Sequence, residues 1–245
     1  MPIPSTPWKT WEDINPDVSP VGGWSSHQDR EWFFHLFESM PYSLTPTGSD
    51  LPAEGGTFIE VGVYLGGNLF LALATAVAQG VTRRIIGVDN WFGDGAWTGE
   101  AMRLKALSFL GEVDARLKAR FPDKWTPQSR NMVKFVTSDS LAAAQDWKYG
   151  SAELVHVDGD HAYAAQLADI RAWSHHVKLG GILAIDDCSF SQVQQAVEVW
   201  LLDGGVREKW QEIPGAREAD VSMYPSHRAR ECSCTTDSRF FRRVV

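Results

Sequence analysis

Two segments carry most of the chemistry this sequence could do. Val157-Asp158-Gly159-Asp160-His161 and Ile185-Asp186-Asp187 each set carboxylates directly behind an apolar run, with Asp158 and Asp186 28 residues apart. If those runs are adjacent strands, about 4.8 Å separates them, and carboxylates from both ends can meet on one ion. Asp158, Asp186 and Asp187 offer oxygen alone, a set that favours Mg2+, Mn2+ or Ca2+ over zinc. Left without a cation, such carboxylates repel one another and some of their pKa values rise. His161 stands three positions beyond Asp158, within reach of a metal-bound hydroxyl as general base. The alternative is architectural: Asp160, Asp186 and Asp187 cap helices and His161 is an ordinary loop imidazole.

A second group points to a nucleoside. Glu60-Val61-Gly62-Val63-Tyr64-Leu65-Gly66-Gly67-Asn68 ends another apolar run. Gly62 and Gly66 permit a tight turn and close approach of a ligand to the backbone. The spacing is not G-x-G-x-x-G, and Glu60 is a poor neighbour for a pyrophosphate. A ligand with a cationic amine or sulfonium suits it better, with a plain strand-to-helix turn as the competing reading. Asp89 closes the next run, where an acidic side chain can accept hydrogen bonds from both ribose hydroxyls. NAD would use it equally well, and it could also be a loop residue or a helix cap. Ser138-Asp139-Ser140 fits either an adenine edge or the cap of the helix that follows.

These residues need a scaffold, and the hydrophobic pattern supplies one. Short apolar runs at Thr57–Val61, Arg84–Val88, Val133–Thr137, Glu153–Val157 and Ile182–Ile185 read as strands, the last entered through a turn at Gly180-Gly181. Helical stretches separate them at Asn68–Gln79, Thr98–Arg120, Leu141–Trp147 and Ala162–His176, and another follows at Phe190–Leu202. Weaker strands near Arg207–Ile213 and Arg239–Val244 suit a terminal antiparallel pair. Strands alternating with helices predict a Rossmann-like α/β fold: a doubly wound, mostly parallel sheet with helices on both faces and a C-terminal antiparallel strand pair. Ligands of such sheets bind at the carboxyl ends of the strands, where the residues above stand. Before this domain, residues 1–24 carry five prolines and read as an extended arm. A helix opens near Ser25–Asp29 with one apolar face of Phe33, Leu36, Phe37 and Met40, and Pro41 stops it. The expected division is therefore a Trp/Pro-rich arm and helix over 1–56, then the main domain over 57–245 with a lid-like segment near 91–130.

Composition narrows the partners. The chain has 245 residues, 44% hydrophobic and 22% charged, values of a globular protein. Its net charge of −8 disfavours a nucleic-acid binder, whose affinity rests on basic surface. The basic cluster Arg228, Arg230, Arg239, Arg242 and Arg243 is interrupted by acids and reads as a solvated face. No apolar run approaches a membrane span. The N-terminal residues lack the basic and apolar regions of a secretory signal, and three cysteines describe no disulfide framework. Cytoplasmic localisation is the simplest expectation. Cys232-Ser233-Cys234 has no second pair or nearby His to complete a zinc site. Cys188 borders the acidic cluster without any mark of a nucleophile. Of 11 tryptophans, Trp8, Trp11, Trp24 and Trp32 crowd the N-terminal segment, an aromatic arm consistent with a homodimer.

Taken together, E-V-G-V-Y-L-G-G-N (60–68), V-D-N-W-F-G-D (88–94), V-D-G-D-H-A-Y (157–163) and G-G-I-L-A-I-D-D (180–187) resemble the class I S-adenosylmethionine-dependent methyltransferases. The resemblance is to the metal-dependent O-methyltransferases of the macrocin type, and more distantly to the cephalosporin-pathway and catechol enzymes. It runs from about Thr57 to Asp187 and implies S-adenosylmethionine and Mg2+ as cofactors. Glu60, Gly62 and Gly66 would then line the methionine part of the cofactor, Asn68 would also belong to the cofactor site, Asp89 would meet the ribose, and Asp139 and Ser140 would lie by the adenine. Asp158, Asp186 and Asp187 would hold the metal, and His161 would take the proton. Where the family often has His-Ala-Gly after the second motif, this chain has Gly95-Ala96-Trp97-Thr98-Gly99, so the acceptor does not follow from the resemblance. The expected reaction is methyl transfer to a hydroxyl of a sugar, a phenol or a secondary metabolite. An NAD-dependent oxidoreductase and a non-catalytic cofactor-binding module are the rival readings.

Overall fold

The computed structural model describes residues 13–14, 18, 27–40, 56–92, 99–213 and 237–245. Its strands are β1 (Thr57–Val61), β2 (Arg84–Asp89), β3 (Val133–Thr137), β4 (Ala152–Val157), β5 (Val177–Ile185), β6 (Trp210–Glu212) and β7 (Arg239–Arg243). Its helices are α1 (His27–Ser39), α2 (Gly67–Gln79), α3 (Gly99–Arg120), α4 (Pro127–Arg130), α5 (Ser140–Gln145), α6 (Tyr163–Ser174), α7 (Ser191–Leu202) and α8 (Val206–Lys209). The sheet order is β3-β2-β1-β4-β5-β7-β6. The first five strands pair in parallel, and β7 runs antiparallel between β5 and β6. This is the doubly wound sheet with a C-terminal antiparallel pair that the alternating pattern predicts.

Successive residues of a strand face opposite sides of the sheet, and here both sides are covered. Phe58, Ile85, Leu154 and Ala184 pack with Phe33, Leu69, Phe70 and Val113 of α1, α2 and α3. Their neighbours Ile59, Ile86, Val155 and Leu183 pack with Leu167, Ile170, Val193 and Val197 of α6 and α7. Strands buried on both faces carry continuous apolar runs rather than alternation, which is why these segments read so clearly. No described helix is long and apolar enough to cross a membrane.

Three details differ from the expected pattern. The Gly180-Gly181 pair lies inside β5, which starts at Val177; the β4–β5 register shifts between Ala152 and Leu154. A Cβ at Gly181 would stand 3.0 Å from the carbonyl oxygens of Ala152 and Glu153, so the pair marks an irregularity within a strand. The weak strand near 207–213 is a helical turn followed by three strand residues. Helix α1 is buried from Glu31 to Glu38 rather than along one face. Several of the polar groups this encloses find partners: His35 Nε2 lies 3.1 Å from Glu31. Gln79 Nε2 donates to Glu38 O at 2.8 Å, and buried Arg83 donates to Met40 O at 3.2 Å and to Phe37 O. The carbonyls at the end of α1 thus find donors within the fold. Trp32 stacks on Phe240; Trp8, Trp11 and Trp24, like Cys232, Cys234, Arg228 and Arg230, lie outside the described residues.

Candidate active site

The strand order reverses between β1 and β4, and open α/β sheets leave a crevice at that point beyond the strands' carboxyl ends. A cavity of about 750 Å3 occupies it, lined by Glu60 to Leu65, Asp89, Ser138 to Leu141, Asp158 to His161, Asp169 and Asp187 among others. Of the expected site residues, Gly66 and Asp186 are not on its wall.

The loop after β1 is shaped by its glycines and by Asp89. Gly62 has φ +86°, and a Cβ there would sit 1.8 Å from the carbonyl oxygen of Asp158. The close approach that requires glycine is thus made by the protein's own β4 end. Gly66, at φ +87°, packs under Phe70 in the same way. Asp89 Oδ2 accepts from the backbone N–H of Val63 (2.7 Å) and Tyr64 (3.1 Å), and Oδ1 from Trp91 N–H (2.5 Å). The residue expected to hold a ribose therefore also ties two strand-end loops together. Its oxygens retain acceptor capacity, because each carboxylate oxygen has two lone pairs. Tyr64, Trp91 and Asp187 all have positive φ (50°, 63° and 55°), which costs roughly 1–2 kcal/mol for a residue with a Cβ. All three follow strand ends of the parallel sheet, a clustering typical of functional loops.

On the β3 side, Asp139 is the N-cap of α5, its Oδ1 accepting from Leu141 and Ala142 N–H. Of the two readings of this segment, the capping role is the one visible. Ser140 donates its hydroxyl to Asp169 Oδ1. Asp169, on α6, is only 4% exposed, and burial pushes its carboxyl up to about 6 against the Ser140 hydrogen bond.

On the β4–β5 side, ligand atoms of Asp158, His161 and Asp187 lie within 4.8 Å of one another. His161 Nε2 is 2.7 Å from Asp187 Oδ2, and its ring stacks on Phe190 with centroids 5.3 Å apart. Burial, reinforced by the charges of Asp186, Glu60 and Asp187, holds the Asp158 carboxyl well above its usual range. That is the repulsion expected of gathered carboxylates, and a divalent cation would relieve it. The donor set fits an oxygen-preferring ion with an imidazole alongside. Asp160 caps the turn into α6 through Ala162 N–H.

Asp186, expected as the third ligand, is in neither cluster of ligating atoms found among the described residues. Its Oδ1 accepts from Ser238 Oγ (2.7 Å) and Asp187 N–H (2.9 Å), and its Oδ2 faces His156 Nε2 at 3.5 Å. The physical reason is His156. This fully buried side chain on β4 lies between Asp186 and Glu60, whose Oε1 is 3.4 Å from His156 Nδ1 and accepts from Asn68 Nδ2 at 3.0 Å. Burial opposes charge on the imidazole, but the hydrogen bonds to Asp186 and Glu60 outweigh it and hold His156 well above the usual histidine range. Burial likewise pushes the Glu60 carboxyl up. Although burial opposes it too, the His156 hydrogen bond holds Asp186 low. Asn68 thus lies on the cavity wall and also holds Glu60 in place. Cys188, next in sequence, is buried with its thiol pushed up to about 12 by burial, which leaves it inert as a nucleophile.

Sequence reasoning missed His156, Asp169, Phe190 and the strained Tyr64 and Trp91. His156 had a signal, a polar residue between Val155 and Val157 in an otherwise apolar strand. Asp169 had none, since it reads as one polar position on a helix.

Residues 59–188 match the family model described as a methyltransferase domain. No curated protein matches the chain. Among solved structures, the chain is similar to CalS11, a TDP-rhamnose 3'-O-methyltransferase of calicheamicin biosynthesis (18% identity, TM-score 0.53, 96% of this chain and 93% of that one). It is also similar to the O-methyltransferase NovP (18%, 0.57, 96% and 88%). A third likeness is to an O-methyltransferase from Bacillus cereus in complex with SAH (12%, 0.55, 97% and 91%). At these identities the likeness is one of fold.

Proposed function

The chain belongs to the class I S-adenosylmethionine-dependent methyltransferases, and from that premise we propose that it transfers the methyl group to a hydroxyl oxygen of a small molecule, a sugar, phenol or secondary metabolite, with help from a divalent cation such as Mg2+. The observation that carries this reading is the convergence of Asp158, His161 and Asp187 at one end of a cavity. The cavity's other end is built from the Gly62 loop, Asp89 and Ser140.

Asp89 accepts the ribose hydroxyls while its backbone hydrogen bonds keep the loop after β1 in place. Glu60 Oε2, buried without a partner, faces the cationic methionine end of the cofactor. Asp158 and Asp187 would hold the cation; Asp186 accepts the Asp187 N–H and is itself held by the Ser238 hydroxyl. A cation held there would make the acceptor hydroxyl easier to deprotonate. His161 takes the proton: with Asp187 accepting Nε2–H, Nδ1 is the basic nitrogen. Phe190 fixes the imidazole plane. Sulfonium is already a good leaving group, so the protein's work is to align acceptor oxygen, methyl carbon and sulfur and to remove one proton.

The test is calorimetric titration with S-adenosylmethionine and S-adenosylhomocysteine, NAD serving as control, followed by methyl transfer to a panel of vicinal-hydroxyl acceptors with and without Mg2+. Micromolar adenosyl binding without an NAD signal, and turnover that EDTA abolishes, are expected. NAD binding in place of adenosyl binding would sink the reading in favour of an oxidoreductase.

A further inference from the structure

Asp169 is a carboxylate the mechanism does not use, and its position is costly. It is 96% enclosed by relative exposure of 4%, yet it lies on the cavity wall with Ser138, Ser140, Leu141 and Ala165. One oxygen, Oδ1, accepts the Ser140 hydroxyl. Oδ2 has no hydrogen-bond donor among the described residues, and it stands 3.2 Å from where a Cβ on Gly159 would be. The fold therefore leaves one carboxylate oxygen with acceptor capacity to spare on a residue of the cavity wall, which a ligand donor could use.

The donors of an adenosyl cofactor are few. Its ribose hydroxyls belong with Asp89 at the end of β2, and its ammonium with Glu60 at the end of β1. The remaining donor is the exocyclic amine of the base. Asp139, on the same wall, turns Oδ1 to the backbone N–H groups that start α5, and the Ser140 hydroxyl donates its hydrogen bond to Asp169. We propose that Asp169 is the residue that reads the base: Oδ2 accepts a hydrogen bond from the 6-amino group of the purine and selects a 6-amino over a 6-oxo nucleoside. Ser140 is its positioning partner, holding the carboxylate through Oδ1. The inference rests on the adenosyl reading of the site above.

The experiment compares S-adenosylhomocysteine with S-inosylhomocysteine, which replaces the amine by a carbonyl, on the wild-type protein and on Asp169→Asn and Asp169→Ser, by calorimetry at pH 7.5. Wild type should prefer the adenosyl ligand by about 30-fold or more, because a 6-oxo group sets an acceptor against an acceptor. Asp169→Asn can donate to the carbonyl, so the preference should collapse to near unity or invert. Asp169→Ser should weaken adenosyl binding about tenfold and change inosyl binding little. Ser140→Ala should keep the sign of the preference. A wild-type ratio near one, or variants that weaken both ligands equally, would overturn the assignment, the latter marking Asp169 as merely structural. If wild type binds neither ligand, the adenosyl reading itself has failed; binding of both without discrimination removes only the role given to Asp169.

Discussion

Carboxylates end strands on both sides of the crevice, but the two sides use them differently. On the β2–β3 side, Asp89 and Asp139 are engaged by backbone donors: Asp89 takes three N–H groups, and Asp139 takes two on Oδ1. They build and pin loops, and any ligand is met by what acceptor capacity is left. On the β4–β5 side, the Asp158 carboxylate accepts no hydrogen bond from any described residue, and burial together with repulsion from Asp186, Glu60 and Asp187 keeps it well above its usual pKa. The same residue type at equivalent places in the topology is thus self-sufficient on one side and unfinished on the other. The first side is built by the protein's own donors; the second is the one that the proposed cation would complete.

Predictions follow the size of that contrast. Removing charge from the unfinished side should hurt most: Asp158→Asn is expected to lower kcat/KM by roughly 10^3-fold, as loss of a metal-held electrostatic stabilisation does, with S-adenosylhomocysteine affinity within about threefold of wild type. Parallel loss of cofactor binding would erase the division between the sides. On the self-sufficient side, Asp89→Ala strips acceptors from two loops and should weaken S-adenosylhomocysteine by about 10- to 100-fold, while metal binding is retained; an unchanged affinity would show that the loops hold without it.

How much of this was legible in the sequence follows the same divide. Strand ends and their acids, from Glu60 and Asp89 to Asp158 and Asp187, were readable because double-sided burial writes long apolar runs and the chemistry begins where they stop. What a carboxylate's oxygens do was not. Asp186 reads like Asp187 in sequence, yet the buried His156 on the neighbouring strand draws it inward, a pairing set by the β4–β5 register of His156 with Ala184. Gly180-Gly181 looked like a turn because glycine pairs usually are; only the carbonyls of β4 reveal that a strand runs through them. Asp169 needed the tertiary fold to bring α6 over the Ser140 loop.

Asp169 also offers a smaller, pH-dependent test. Burial raises its folded-state pKa to about 6 from an ordinary 3.8, so between those values the folded protein holds more protons than the unfolded one. Stability must therefore fall as pH rises through that window. Asp169→Asn removes the charge and should be more stable than wild type by about 1–2 kcal/mol at pH 7, the advantage disappearing below about pH 4. Thermal denaturation at both pH values reads this directly, and a variant less stable at pH 7 would contradict it. Smallest of all, Phe190→Leu removes the ring stacked on His161 and should slow kcat about 3- to 10-fold, the scale of one aromatic contact, with cofactor affinity unchanged; an effect on S-adenosylhomocysteine binding would mean that the two sides are coupled.

The most direct test of the contrast is a Mn2+ titration followed by electron paramagnetic resonance, on wild type and on Asp158→Asn, Asp187→Asn and Asp139→Asn. The account predicts one stoichiometric site in wild type, retained in Asp139→Asn and lost in both Asp158→Asn and Asp187→Asn. A wild-type protein that binds no stoichiometric Mn2+, or a site that survives both substitutions on the β4–β5 side, would contradict it.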